Sequence, residues 1–366
     1  MKPAIVHEFL ITWGGSDLVV QKFCEIFPEA PIYTALFDKK QIGSRFEDKE
    51  VLTSFLQKIP WSIKKHRMMM PFFPLAFEAF DLNDYDLILS SHHMSAKSVV
   101  IPANSCHISY VHTPMRYAWD HYHQYMSGFG RFTQVPMRLL FHYLRMHDVV
   151  SANRVDYFIA NSRNTARRIK KHYRRDSVVI NAPVQTKRFS IAEKYDDYYL
   201  VVSRLVPYKR IDLAVQAFNK LDEKLVIIGS GPETDRLKSM AEGNVEFLGF
   251  VPDEEITDYY SKCKAFIFPG EEDFGITPLE AQASGRPVIA YGSGGALETV
   301  IDGKTGIHFS DQTPDSLVEA VRSFDEDKFD PKAIRANAEL FDEEIFKDKI
   351  CSFVTGKYAE WLEAGN

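Results

Sequence analysis

Cysteine is scarce in this sequence: Cys24, Cys106, Cys263 and Cys351 stand far apart with no paired spacing. Neither a disulfide framework nor a zinc site is built that way, and a reducing, cytoplasmic setting is the expectation. A basic excess is also missing. Lys and Arg number 44 against 50 Asp and Glu, a formal net charge of -6, which argues against nucleic acid as a partner because a phosphate-tracking surface needs clustered cations. No apolar run reaches the roughly 18 to 20 residues that a membrane-spanning helix requires. The opening "MKPAIVHEFLITWGG" turns polar and glycine-rich too soon for a secretory leader, so neither a leader nor a membrane span is expected. Repeats and low-complexity tracts are lacking as well. What is there is a chain of 366 residues, 45% hydrophobic and 26% charged, long enough for two globular domains.

Short apolar runs alternate with helix-length segments. "AIVHEFL", "YDLILSS", "CHISYVH", "VDYFIANS" and "SVVINAP" come first, and "YYLVVSRL", "KLVIIGSG", "VEFLGFV", "KAFIFPG", "RPVIAYG" and "GIHF" follow. Apolar runs of about 4 to 8 residues separated by helical patterns read as βαβ units, so an α/β chain with two parallel sheets is expected. The pattern lapses over residues 181–197, "NAPVQTKRFSIAEKYDD", which marks the boundary. The expected domains are residues 1–185 and 186–344, and "FDEEIFKDKICSFVTGKYAEWL" reads as a helix with Phe346, Ile350, Phe353 and Val354 on one face.

In open parallel sheets, ligands gather beyond the carboxyl ends of the strands, where loops and helix N-termini converge. Three glycine turns are expected there. In "TWGGSD", Gly14 and Gly15 allow backbone to approach a ligand, and Ser16 or Asp17 is placed to cap the next helix. In "KLVIIGSGPETDRL" another glycine turn opens a helix. Both read equally as tight strand-to-helix turns. The third, "FPGEEDFGITPLEA", says more: a strand leads into Glu272, a Phe274-Gly275 turn and a helix starting near Thr277-Pro278. The amides of Phe274, Gly275, Ile276 and Thr277 would then face an anion. Glu272 and Glu280 flank this turn and can accept hydrogen bonds from hydroxyls, which suits a sugar and a ribose. Cations come from "VSRLVPYKR", where Arg204 follows a strand and Lys209 reaches over the same strand end. A guanidinium fork and a point charge together can neutralise a diphosphate, although alone the two read equally as surface cations.

Together these stretches resemble the retaining glycosyltransferases of family four. The match runs through Gly14-Gly15, "YVHTP" at 110–114, "IANSRNTARRI" at 159–169, "VSRLVPYKRIDLAVQAF" at 202–218, "VIIGSGPE" at 226–233, "EFLGFVPDEEI" at 246–256 and the Glu272 to Glu280 block. That block is the most specific part, with Phe-Gly between the glutamates and Ala-x-x-x-Gly-x-Pro-Val around the second. "HTPMRYAWDHYHQY" and "YKRIDLAV" further resemble bacterial and archaeal mannosyltransferases that build surface polysaccharides or glycolipids. The resemblance implies the GT-B fold: two Rossmann-like domains whose parallel sheets face a central cleft, with the C-terminal helix, residues 345–366, crossing back to the acceptor-side first domain. It implies that Arg204 and Lys209 bind the diphosphate of a nucleotide sugar, that Glu272 holds hydroxyls of the transferred sugar and that Glu280 binds the ribose. The amides of Phe274, Gly275 and Ile276 would serve phosphate or sugar, Gly14 would approach the diphosphate, and His112 would lie near the sugar. The base would be read around Phe250 and Val251, largely through backbone. GDP-mannose as donor, retention at the anomeric carbon, and neither cofactor nor metal are further implications. Asp273 departs from the family, which commonly has glycine there. It either accepts a sugar hydroxyl or faces solvent.

The remaining candidates carry two readings each. Tyr110, Tyr117, Trp119, Tyr122 and Tyr125 suit stacking on sugar faces, with Asp120 accepting an acceptor hydroxyl, and equally suit helix packing. His92-His93 and His121 with His123 lack an Asp or Cys at metal-binding spacing and are expected to be satisfied or solvated. Residues 59–77 set Lys64, Lys65, His66 and Arg67 beside Trp61, Met68, Met69, Met70, Phe72 and Phe73. They form either a peripheral contact with the cytoplasmic membrane face, where a lipid-linked glycan acceptor would be met, or a loop completing the core. Two other functions share such a fold: a sugar-nucleotide epimerase or glycogen-type synthase, and a noncatalytic subunit. The latter need not keep Arg204, Lys209, Glu272 and Glu280 together.

Overall fold

A computed structural model describes residues 1–365; Asn366, the last residue of the expected terminal helix, lies outside the described residues. The chain divides into two compact units, Met1–Asn181 together with the segment from Phe346 onward, and Ala182–Ile345.

The first unit is built on seven strands: β1 (Pro3–His7), β2 (Ile32–Thr34), β3 (Val51–Thr53), β4 (Leu87–His92), β5 (Cys106–Val111), β6 (Tyr157–Ala160) and β7 (Val178–Val179). They are parallel throughout and run in the order β3-β2-β1-β4-β5-β6-β7. Every residue of β1, β4 and β5 is buried. Burial on both faces explains why these strands read as continuous apolar runs in place of an alternation. β2 and β3, of 3 residues each, were not among the expected strands, being too short for either pattern.

In the second unit β8 (Tyr199–Val202), β9 (Leu225–Ile228), β10 (Val245–Gly249), β11 (Ala265–Phe268), β12 (Val288–Tyr291) and β13 (Gly306–Phe309) form a parallel sheet ordered β10-β9-β8-β11-β12-β13. Each sheet reverses its direction of growth once, between β1 and β4 and between β8 and β11. The connections leave such a point toward opposite faces, which opens a crevice at the carboxyl ends of those two strands.

The terminal helix spans Glu343–Glu363 and buries Phe346, Ile350, Val354 and Trp361, while Phe353 is only half-buried. Phe346 stacks on Phe23 at 6.2 Å and meets Tyr110 at 5.8 Å, and so completes the first unit's core. Within 59–77, Met69, Phe73, Ala76 and Phe77 enter that unit's core and Trp61, Met68, Phe72 and Leu75 stay exposed. Among the described residues no helix is long and apolar enough to cross a membrane.

Candidate functional site

In the second unit the strand reversal places the loops after β8 and β11 side by side. Arg204 follows β8, is exposed, and donates from Nη2 to the Tyr208 hydroxyl at 3.1 Å. Lys209 ends a short turn, Pro207–Lys209, and its Nζ forms an ion pair with Oε1 of Glu272, which arrives from the loop after β11. The sequence therefore brings a second cation and the first glutamate together at the place that doubly wound sheets reserve for ligands.

The Glu272 loop is held from behind. Gly295 donates its N–H to the Glu272 carbonyl at 2.8 Å, and a Cβ on Gly295 would lie 2.2 Å from the carbonyl oxygen of Phe274, so only glycine permits that approach. Phe274 is buried against Phe341, its ring 5.7 Å away, and Asp273 is half-buried. Gly275 takes φ 93 as the N-cap, a left-handed conformation natural to glycine, and the helix runs Ile276–Ala283. It starts one residue before the expected Thr277, and the amides of Ile276 and Thr277 stand in its first turn, where no intrahelical acceptor exists. Glu280 projects from this helix and accepts a 2.7 Å hydrogen bond from the Tyr260 hydroxyl. Burial holds its pKa above the ordinary carboxylate value despite that bond. Phe250 is 82% exposed after β10, and Val251 is buried. Tyr260 and Tyr208, which fix Glu280 and Arg204, were missed: one comes from a distant helix, the other reads as part of a cation-rich turn.

The first unit's crevice gathers histidines. His112 follows β5, and its Nε2 lies 2.8 Å from Ser91 Oγ. Ser91 is also 3.1 Å from His7 Nδ1, and His7 Nε2 lies 3.3 Å from Asp17 Oδ1, an ion-pair approach without a directed hydrogen bond. Burial is the largest cause holding the His112 pKa well below its ordinary value, so the ring is neutral at pH 7. Its carbonyl accepts from Thr165 Oγ1 at 3.2 Å. Gly14 is the N-cap of the helix Gly15–Ile26 in an extended conformation, φ -164, with no side-chain cap. Ser16 and Asp17 therefore lie inside the helix and do not cap it.

Glu8, just beyond β1, was not expected. Fully buried, its Oε1 accepts the amides of Met94, Ser95 and Ala96 at 2.7, 2.6 and 2.8 Å and approaches His92 Nδ1 at 3.3 Å. Burial works to raise its pKa, but the bonds and charges of His92, His93 and Ala96 outweigh it and leave the carboxyl lowered. Nearby, Lys97 and Asp148 form a fully buried pair at 2.6 Å. Asp148 also accepts from Tyr173 at 2.9 Å and from Trp119 Nε1 at 2.8 Å. Trp119 stacks on His172 at 4.5 Å, and Asp120 is engaged by Arg168 at 3.3 Å and His172 at 3.5 Å. Tyr117 packs on the core cluster, and of the aromatic run only Tyr122 and Tyr125 are helical. Among the described residues no group of three or more His, Cys, Asp or Glu is arranged to hold a metal ion.

Two doubly wound sheets of this order define the GT-B architecture. Sucrose-phosphate synthase from Thermosynechococcus elongatus superposes with a TM-score of 0.76 over 100% of both chains at 18% identity. Anabaena HepE in complex with UDP does so with a TM-score of 0.69 at 16% identity, over 97% of this chain and 100% of that one. Residues 14–188 match the family model for glycosyltransferase family 4, and residues 184–341 match that for glycosyl transferases group 1. The chain therefore carries both glycosyltransferase domains, one after the other over residues 14–341. A GDP-mannose-dependent alpha-(1-6)-phosphatidylinositol monomannoside mannosyltransferase of Mycolicibacterium smegmatis is 36% identical over 162 residues, 38% of this chain and 42% of that protein. An alpha-1,3/1,6-mannosyltransferase of Dictyostelium discoideum is 34% identical over 31% of this chain and 34% of its own. The chain thus matches less than half the length of these curated relatives.

Proposed function

We propose that the chain is a retaining hexosyltransferase that takes mannose from GDP-mannose and passes it to a sugar or lipid-linked glycan. The observation that carries this is the Lys209–Glu272 pair beside Arg204 at the strand reversal of the second unit. Both partially matching relatives are mannosyltransferases, which supports mannose, and the Mycolicibacterium one is GDP-mannose-dependent, which supports GDP. As the sugar–phosphate bond breaks, negative charge grows on the diphosphate, and Arg204 and Lys209 offset it. One well-aimed donor of this kind is worth about 3 to 4 kcal/mol. An arriving phosphate competes with Glu272 for Lys209, and Glu272 is then free to accept sugar hydroxyls. The acceptor attacks from the leaving-group side, a diphosphate oxygen takes its proton, and retention follows. Neutral His112 helps by position. Cations from the protein stand in for a metal, so activity is expected to survive EDTA; complete loss restored by a divalent ion would overturn that. The setting proposed is cytoplasmic, peripheral on the membrane face through residues 59–77.

The test is the melting temperature with GDP, UDP and ADP, followed by product analysis with GDP-mannose. GDP should stabilise most. No shift with any nucleotide would sink the donor site, and epimerised donor in the absence of acceptor would favour the epimerase.

A further inference from the structure

The helix Arg131–Ala152 turns Phe141, Leu144, Asp148, Ser151 and Ala152 into the first unit. Its opposite face shows Phe132 at 97% exposure, Leu139 at 67%, Val135 at 63%, Val150 at 57%, Met146 at 50% and Tyr143 at 42%. Those positions recur every three or four residues and form one stripe along the helix. A water-facing helix would carry charge there. This one carries Arg131 and Arg138, both exposed, and its single carboxylate, Asp148, is buried against Lys97.

We propose that this helix lies in the plane of an anionic lipid surface, its stripe among the acyl chains and Arg131 and Arg138 at the headgroups. The charge distribution selects this occupant. Residues 121–147 contain no Asp or Glu, nor do residues 51–77, in a chain whose net charge is -6. The second stretch exposes Lys58, Lys64, Lys65 and Arg67 with Trp61, Met68, Phe72 and Leu75. Both stretches seat their buried side chains in the same core cluster. Glu78, where the second ends, is held from the helix side by His147 at 3.4 Å and Arg154 at 2.7 Å. Apolar side chains with flanking cations match an acyl boundary beneath anionic headgroups. A second copy fits worse: two such faces would oppose arginines with no carboxylate to offset them. A nucleic acid would leave the apolar stripe uncovered. The inference extends the membrane contact proposed for residues 59–77, but its geometry stands apart from the donor chemistry.

The experiment is co-sedimentation of the full chain, at low salt, with vesicles of phosphatidylglycerol and phosphatidylcholine and with phosphatidylcholine alone. The native protein should bind the anionic vesicles only. The triple variant Phe132→Ser, Leu139→Ser, Met146→Ser and the pair Arg131→Glu, Arg138→Glu should each weaken binding about tenfold or more, with melting temperatures unchanged. In Phe132→Trp, added emission should be quenched by brominated acyl chains. No native binding, or native-like binding by the triple variant, would overturn the inference; the latter leaves any membrane contact to residues 59–77. A concentration-dependent dimer that the triple variant disperses would also overturn it and assign the face to a second copy. GDP-induced stabilisation measured on the same preparations separates this from the donor reading: if it persists while vesicle binding fails, only the membrane inference falls.

Discussion

Lys209 and Glu272 neutralise each other across the reversal of the second sheet, whereas Arg204, held by the neutral Tyr208 hydroxyl, keeps its charge available. Replacing either cation by Ala removes little packing, so the expected cost falls on the transition state: kcat/KM lower by about 100-fold or more, with thermal melts close to native. Unchanged kcat/KM in both variants would refute the diphosphate role. Glu280 acts earlier in the cycle. Its carboxylate is positioned by Tyr260, so Glu280→Ala should weaken GDP binding in calorimetry and Tyr260→Phe should reproduce part of that loss. Full GDP affinity in Glu280→Ala would exclude the ribose role. The residue types and spacing around these positions were legible in the sequence. Tyr260 was not, because its tie to Glu280 exists only once two helices pack.

At the level of strands and helices, legibility followed length and burial. β1, β4 and β5 announce themselves by unbroken apolar runs, whereas β2 and the edge strand β3 are too short to. The cap of the first helix was assigned to Ser16 or Asp17, as a pattern of polar residues after glycine invites, but the chain uses Gly14 and turns Asp17 inward toward His7. His7 aligns with Ser91 only through the β1–β4 register, a pairing between positions 84 residues apart that no local pattern shows. That strand neighbourhood also sets a pH dependence. Burial holds His92 down to about 4 and His107 to about 3, against 6.5 for a free imidazole. Below pH 6.5 the unfolded chain therefore binds protons that the native chain refuses, and stability falls with pH. Glu8, whose pKa is lowered, adds to the loss below pH 4.5. Urea midpoints should drop steadily from pH 7 to pH 4.5, and a midpoint unchanged across that range would contradict the buried neutral histidines.

Across the whole molecule, the chain leaves the first unit at Asn181, builds all of the second, and returns at Phe346. Phe346, Ile350, Val354 and Trp361 are core residues of a unit whose other parts precede them by more than a hundred positions. Phe346→Ala should cost about 3 to 5 kcal/mol, read as an earlier urea transition of the first unit with the second unaltered. Loss of the second transition instead would mean that the helix's packing had been misassigned. The interleaving also bears on synthesis. Domains usually fold in the order in which they leave the ribosome. Here the unit that begins first cannot be completed until the other has been fully translated, because Phe23 and Tyr110 wait for Phe346. The second unit is one uninterrupted stretch and can close while its predecessor is still open, so the order of birth and the order of folding run in opposite directions.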